Sequence, residues 1–196
     1  MTCRVSDLTS NDLDALTGLI MDDGGYSMRV FGRPPKSDAA RDVLHTRPPG
    51  LDLESKTTIG LWDDNRLIGV ADAVRGYPRP EVMYVGLLQV ETDSQGGGVG
   101  RMLHEALVDR AMNDPGITTL RLSIVATNAE AAEGFWRRLG YEPTREAKEW
   151  VRDDGVVTTA HVYERSVSPL RRHRVQGAVH DRPGGSVFTS IYVKVR

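Results

Sequence analysis

The sequence predicts an α/β fold in which a mixed β-sheet of about seven strands is flanked by helices. Three observations predict it: two β-hairpin patterns, a glycine-rich turn that joins a strand to a helix, and a second strand followed by a helix. The length of 196 residues fits one ordinary domain. The hydrophobic content of 39% is sufficient for a packed core.

The N-terminal part of the chain is predicted to contain a strand, two helices and a hairpin. Apolar residues between positions 13 and 20 recur at helical spacing, and Thr9 or Ser10 can cap that helix. The prolines at 34–35 break the chain before Ser37, which can cap a second helix. The predicted elements are a strand at 4–6, helices from Thr9 or Ser10 to Met21 and from Ser37 to about His45, and hairpin strands at 57–62 and 67–74.

The following part is predicted to alternate strands with helices and to end in a hairpin. Residues 118–125 alternate between apolar and polar as a strand does, and Asn128 opens the next helix. An Asp-Gly pair at 154–155 is a strong hairpin-turn signal. The predicted elements are a strand at 81–90, a helix at 99–112, a strand at 118–125, a helix at 129–139, and hairpin strands at 146–152 and 156–164.

The glycine-rich turn at residues 95–101 has the sequence QGGGVGR. Each glycine costs roughly 0.5–1 kcal/mol relative to alanine in a helix, so these residues do not serve helix stability. Without Cβ atoms, backbone N–H groups can approach an anion closely, and the dipole of the following helix favours negative charge. The turn therefore predicts a ligand that carries a pyrophosphate.

Two common phosphate-binding loops do not fit this spacing. A P-loop ends in Gly-Lys-Ser/Thr, whereas Arg101 and Met102 stand in those places. A dinucleotide-binding turn needs glycines at relative positions one, three and six. Counting from Gly96, the sixth place is Arg101, and counting from Gly98 it is Leu103. Both the nucleoside triphosphate and the dinucleotide interpretations are therefore disfavoured.

The pattern that fits is Gln/Arg-x-x-Gly-x-Gly/Ala, met by Gln95, Gly98 and Gly100. With the strand at 87–90 before it and the segment FWRRLGY at 135–141 after it, the chain resembles the GNAT superfamily of acyl-CoA-dependent N-acyltransferases. The resemblance covers about residues 1–165 and implies the GNAT fold. It also implies that acetyl-CoA is the co-substrate and that an amine is the acceptor.

The resemblance assigns cofactor contacts to the loop and to the strand before it. It implies that the loop wraps the pyrophosphate and that the backbone of the strand pairs with the pantetheine arm. Asn128 is expected either to bond the pantetheine amide or to cap its helix. The cofactor contacts implied are Leu88, Val90, Gln95, Gly96, Gly97, Gly98, Val99, Gly100, Arg101 and Asn128.

The catalytic assignments also follow the resemblance. The N–H group of Leu88 is the implied oxyanion donor, and Tyr84 lies where some members place a catalytic Glu. A tyrosine is a weak base at neutral pH, so we expect it to act through water; Glu81 is the other candidate base. Trp136 replaces the tyrosine that protonates the leaving thiolate in many members. The thiolate is then expected to leave unaided or to take a proton from water.

An N-acetyltransferase acting on a primary amine of a small molecule or peptide is the leading function. The alternative is an acyl-CoA-binding sensor without turnover, suggested by Trp136. The formal net charge of −2 disfavours nucleic acid as a partner. Scattered histidines predict no metal site, and the absence of a long apolar run predicts no membrane span. A cytosolic location and a possible homodimer complete the expectations.

Residues 166–196 are predicted as a C-terminal extension beyond the catalytic domain. It contains a basic patch at 171–174 and a strand-like segment at 187–195. A flexible tail, an extra edge strand and a strand exchanged with a partner subunit remain open interpretations.

Overall fold

Seven strands form one mixed sheet flanked by five α-helices in the computed structural model, which describes residues 3–167. The strands are β1 Cys3–Asp7, β2 Lys56–Asp63, β3 Arg66–Arg75, β4 Val82–Val90, β5 Thr119–Val125, β6 Glu142–Val151 and β7 Val157–Ser166. The helices are α1 Leu13–Met21, α2 Tyr26–Phe31, α3 Ala39–His45, α4 Val99–Asn113 and α5 Ala129–Arg138. The predicted fold class is confirmed.

Most predicted elements lie within a few residues of their expected bounds, but α2 was not predicted. It has only six residues, flanked by Gly25 and Gly32 in the left-handed conformation. Asp23 stabilises its start, because its carboxylate accepts hydrogen bonds from the N–H groups of Gly25 and Ser27 at 2.7 Å each. A helix of this length shows too little periodicity to be recognised from sequence.

The last hairpin also starts earlier than predicted. β6 begins at Glu142 because it pairs there with Glu164 of β7, with an irregularity in the register before Ala147. The predicted basic patch and strand-like segment of the C-terminal extension lie outside the described residues.

The order of the strands across the sheet is β1-β2-β3-β4-β5-β7-β6, and only β4 and β5 run parallel. Their pairing stops at Tyr84 and Arg121. β4 continues to Val90 and β5 to Val125, so the two strands separate toward their carboxyl ends. Among the described residues, the edge of β4 that faces β5 is open from residue 85 onward.

The two faces of the sheet are covered by different helices. Leu88 and Val90 of β4 pack in one cluster with Leu103 of α4 and Trp136 of α5. The opposite face packs against α1 and α3, where Leu87 belongs to a second cluster. No helix within residues 3–167 has the length and apolar character needed to span a membrane.

A histidine in the first of these cores makes the stability of the protein depend on pH. His104 is fully buried, with its Nε2 atom 3.2 Å from the Tyr141 hydroxyl and 3.4 Å from Nη1 of Arg165. Burial, with a smaller contribution from the charge of Arg165, lowers the pKa of His104 to about 4. The unfolded chain therefore binds a proton between about pH 6.5 and 4 that the folded protein does not.

We expect the free energy of unfolding to fall by on the order of 3 kcal/mol as the pH drops through this window. Urea unfolding at several pH values should show that His104→Gln removes most of this dependence. His161→Gln is the matched control, since His161 is exposed. An unchanged pH dependence in His104→Gln would contradict the assignment.

Candidate functional site

The glycine-rich loop joins β4 to α4 and turns at two glycines. Gly96 and Gly98 have φ angles of 79° and 86°, in the left-handed region that favours glycine. Gly98 is the N-cap residue of α4 and makes no side-chain cap. Because the first N–H groups of an α-helix lack acceptors within the helix, those at the start of α4 are left for a ligand. This geometry suits an anionic group.

A pocket of about 190 Å³ lies against the loop. The predicted cofactor contacts that line it are Val90, Gln95, Gly96, Gly98, Val99, Gly100 and Arg101. Gly97 does not line it, and a Cβ atom there would lie 3.5 Å from the backbone oxygen of Ser94, an ordinary contact. The amide of Gln95 turns back and donates to the carbonyl of Val90 at 3.2 Å, which ties the loop to the end of β4.

Ser94 and two residues of α5 also line this pocket and were not predicted as site residues. The α5 residues are Phe135 and Arg138. Arg138 joins Arg101 in the lining, and Nε of Arg101 donates to the carboxylate of Glu105 at 2.8 Å. A Cβ atom at Gly100 would lie 3.3 Å from the ring of Phe135 and 3.4 Å from Cδ2 of Leu88. The glycine thus permits close contact between α4, α5 and β4. Two arginines and free helix N–H groups fit a pyrophosphate.

The opening between β4 and β5 lies next to this pocket and contains the predicted Leu88. The side chain of Leu88 is fully buried against α4, while its backbone belongs to the part of β4 that does not pair with β5. Val90 combines the same core packing with a place in the pocket lining. The side chains of Leu88 and Val90 can therefore pack in the core while the backbone of the same residues stays available at the open edge of β4.

Asn128 is the N-cap residue of α5, but its side chain makes no capping hydrogen bond there. It is buried, and its Oδ1 atom accepts a hydrogen bond from Nε of Arg29 at 2.8 Å. Arg29 lies on α2 and also donates to the carbonyl of Gly24 at 3.1 Å. Arg29 is thus a further residue that sequence reasoning missed, and it connects α2 to the segment after β5. A contact between Asn128 and pantetheine stays a prediction.

The two candidate bases occupy different places. Tyr84 is the last residue of β4 that pairs with β5. Its hydroxyl donates a hydrogen bond to Oγ of Ser123 on β5 at 2.9 Å. Burial raises the pKa of Tyr84 to about 12, so the phenol keeps its proton at neutral pH. Glu81 precedes β4, seven residues or about 23 Å of extended strand before Leu88. Both assignments stay predictions, and the geometry places Tyr84 closer to the opening.

Glu81 is also a weak base. A hydrogen bond from its own backbone and another from Nε of Arg79 at 2.9 Å lower the pKa of its carboxyl group. A carboxylate held in its charged form in this way binds a proton less readily than a free one.

Trp136 does not face the pocket. Its side chain is fully buried, with its ring centroid 5.1 Å from that of Tyr141 and 5.2 Å from that of Phe135. It therefore fills the core at the position where, by the resemblance described above, many GNAT proteins have a tyrosine that protonates the leaving thiolate.

The acidic pair that follows α1, Asp22 and Asp23, has structural partners. Asp22 accepts hydrogen bonds from the N–H and hydroxyl groups of Thr92 at 2.7 Å each, and Asp23 caps α2 as described above. Asp22 thus connects α1 to the start of the glycine-rich loop.

Comparisons with known proteins agree with this geometry. The family model described as the acetyltransferase (GNAT) family matches residues 27–141. No curated protein sequence matches significantly. Among solved structures, the ribosomal-protein-S18-alanine N-acetyltransferase from Escherichia coli superposes with a TM-score of 0.63 at 19% identity, covering 89% of this chain and 100% of that chain.

Two further solved structures show the same fold. An acetyltransferase from Thermus thermophilus gives a TM-score of 0.64 at 24% identity and covers 85% of this chain and 98% of that chain. A ribosomal-protein-alanine N-acetyltransferase from Brucella melitensis gives 0.65 at 17% identity and covers 84% and 99%. At these identities the likeness concerns the fold.

Proposed function

Because this chain belongs to the GNAT acetyltransferase family, we propose that it transfers the acetyl group of acetyl-CoA to a primary amine of a small molecule or peptide. One observation carries this proposal: a glycine-rich loop with free helix N–H groups lies beside the opening between β4 and β5. A pyrophosphate on the loop and an acyl arm along β4 would bring a thioester to Leu88. Members of the family use acetyl-CoA as co-substrate.

Acetyl-CoA supplies an acetyl thioester, whose carbonyl carbon an uncharged amine can attack directly. The N–H groups of residues 96–101, with Arg101 and Arg138, would hold the pyrophosphate. The open edge of β4 would pair with the pantetheine arm. The N–H of Leu88 would then donate to the carbonyl oxygen as negative charge develops on it, an interaction whose loss typically costs about 10²–10³ in rate.

The proton of the acceptor ammonium must leave before the attack. Since the pKa of Tyr84 is raised to about 12, we propose that its phenol orders a water molecule that carries the proton away. Glu81 remains a second candidate for this role. With Trp136 in the core, the leaving thiolate departs unaided or takes its proton from water.

Release of free thiol from acetyl-CoA, followed with a thiol reagent, tests the proposed activity. The acceptors to be screened are alkylamines, polyamines and a peptide that begins with alanine. The peptide is included because two of the structurally similar proteins are ribosomal-protein-alanine N-acetyltransferases. We expect at least one amine to accelerate thiol release. Binding of acetyl-CoA without turnover for any nucleophile would favour the alternative, an acyl-CoA sensor.

The cytosolic location, the homodimer and the boundary of the catalytic domain at residue 165 stay predictions. Sedimentation of the purified protein would test the dimer. A chain ending at residue 167 would test whether the domain folds and binds acetyl-CoA without the extension.

A further inference from the structure

A buried ion pair lies on the face of the sheet opposite α4 and α5. Nζ of Lys56 on β2 is 2.5 Å from Oδ2 of Asp72 on β3. The two side chains are only 4% and 7% exposed. Removing two charges from water is costly, and an apolar pair of similar volume is often as stable or more stable. Asp72 lies on β3, the strand that pairs with β4, so the reason for keeping such a pair here is of interest.

The second oxygen of this carboxylate lacks a partner. Oδ1 of Asp72 is buried and accepts no hydrogen bond from any described residue. It lies directly over Gly86 of β4, where an added Cβ atom would come within 2.4 Å of it. Leaving a buried acceptor unpaired costs about 1–3 kcal/mol, and more for a charged group. A donor supplied by a ligand would remove this cost.

This oxygen is close to the proposed reaction centre. Asp72 pairs with Leu87 and Ala73 pairs with Val85, so Gly86 is an extra residue that bulges from β4. The bulge is two residues, at most about 7 Å of strand, from Leu88. Asp72 approaches β4 from the face opposite to the side chain of Leu88. An acceptor on this face would therefore meet the thioester from the side that α4 does not cover.

The neighbours of Asp72 leave it as the anionic group nearest this part of the strand. Tyr84, on the same face, stays protonated, and its hydroxyl donates a hydrogen bond to Oγ of Ser123. Arg121 is engaged by Glu146 and by Glu164, the latter at 2.6 Å. Lys56 binds only one of the two carboxylate oxygens and fixes the orientation of the other toward the bulge.

We propose that Oδ1 of Asp72 anchors the ammonium group of the acceptor beside the β4 bulge. The acceptor class is then a primary amine that binds in its ammonium form and loses one proton before it attacks, rather than a nucleophile that is uncharged or anionic when it binds. This inference rests on the proposed acetyl transfer. Asp72 acts on binding of the charged amine, so its loss should raise KM more than it lowers kcat.

The test compares a charged with an uncharged acceptor in Asp72→Asn. n-Butylamine, spermidine and a peptide beginning with alanine are largely protonated near neutral pH, since alkylamines have pKa values near that of lysine, about 10.4. Hydroxylamine is an uncharged nucleophile under the same conditions. We expect Asp72→Asn to raise the KM of the best charged amine by roughly 10- to 100-fold, the effect of one hydrogen bond to a charged group. Turnover with hydroxylamine should change less than about twofold, which is well below the roughly tenfold change that the loss of a 1.4 kcal/mol interaction would cause.

Additional variants guard against a simple folding defect. Asp72→Asn combined with Lys56→Met removes both charges and leaves no unpaired ammonium, and should show the same selective loss. Gly86→Ala should displace Oδ1 through its Cβ atom and act in the same direction. Asp109→Asn, an exposed acid on α4, is the matched control and should behave as the parent. Calorimetry with acetyl-CoA should give the same affinity in all of them.

Three results would overturn the anchor while leaving the acetyltransferase intact. These are an unchanged KM for the charged amine in Asp72→Asn, an equal loss with hydroxylamine, and a parent that acetylates hydroxylamine but no protonated amine. A parent that binds acetyl-CoA yet acetylates nothing would instead contradict the proposed function, and the anchor with it.

Discussion

Gly98→Asp is expected to abolish the thermal stabilisation that acetyl-CoA gives to the parent protein. Gly98 lines the pocket and is the N-cap residue of α4. Nothing lies within 4 Å of an added Cβ atom, so a side chain there meets no steric clash, although the φ of 86° strains any residue other than glycine. Its carboxylate would stand beside the pyrophosphate. Two like charges about 4 Å apart near a protein surface repel by about 4 kcal/mol, which should weaken binding by at least roughly 100-fold.

Gly98→Asn is the matched control, because asparagine and aspartate share their shape and both tolerate the left-handed conformation. At a ligand concentration of 100 times the parent's Kd, the parent gains about 2.7 kcal/mol of stability. The Asn variant should keep most of this gain and the Asp variant almost none. Gly97→Ala, outside the pocket lining, should behave as the parent. Equal stabilisation of the Asp and Asn variants would show that the pyrophosphate lies elsewhere.

Trp136→Ala is expected to lower the free energy of unfolding by about 3–5 kcal/mol, the usual cost of removing a buried Trp or Phe side chain. The indole is fully buried and packs edge to face against Tyr141 and His104. Urea unfolding measures this change. The pocket proposed to receive acetyl-CoA does not include Trp136, so the affinity for acetyl-CoA should be unchanged as long as the variant is folded.

Trp136→Phe separates packing from chemistry at the same position. It keeps an aromatic ring in the core and removes the indole N–H, so it should cost less stability than the alanine variant. Its kcat should stay close to that of the parent, because Trp136 transfers no proton in the proposed mechanism. A large loss of kcat in a stable Trp136→Phe protein would mean that the indole contributes to catalysis.

The loop and its surrounding elements could be predicted because their signals are local. Gln95, Gly98 and Gly100 follow one another closely, and the strand and helix on either side have clear periodicity. The left-handed conformation of Gly98 is one that glycine adopts without strain. The sheet order between β4 and β5, and hence the opening between them, depends on twist and packing that no short segment encodes.

The missed parts of the site depend on contacts between distant residues. Arg29 meets Asn128 across 99 positions, through a helix too short to be recognised. Lys56 and Asp72 are 16 positions apart and meet because the β2–β3 register puts them on one face. Register is set by the whole sheet, so the ion pair was invisible in the sequence.

Titration calorimetry of the parent protein with acetyl-CoA tests the central claim most directly. Every step of the proposed mechanism begins with the pyrophosphate on the loop at the start of α4. We predict saturable binding of one acetyl-CoA per chain, lost in Gly98→Asp. No binding by the folded parent would contradict the account, because Leu88, Tyr84 and Asp72 would then have no thioester to act upon.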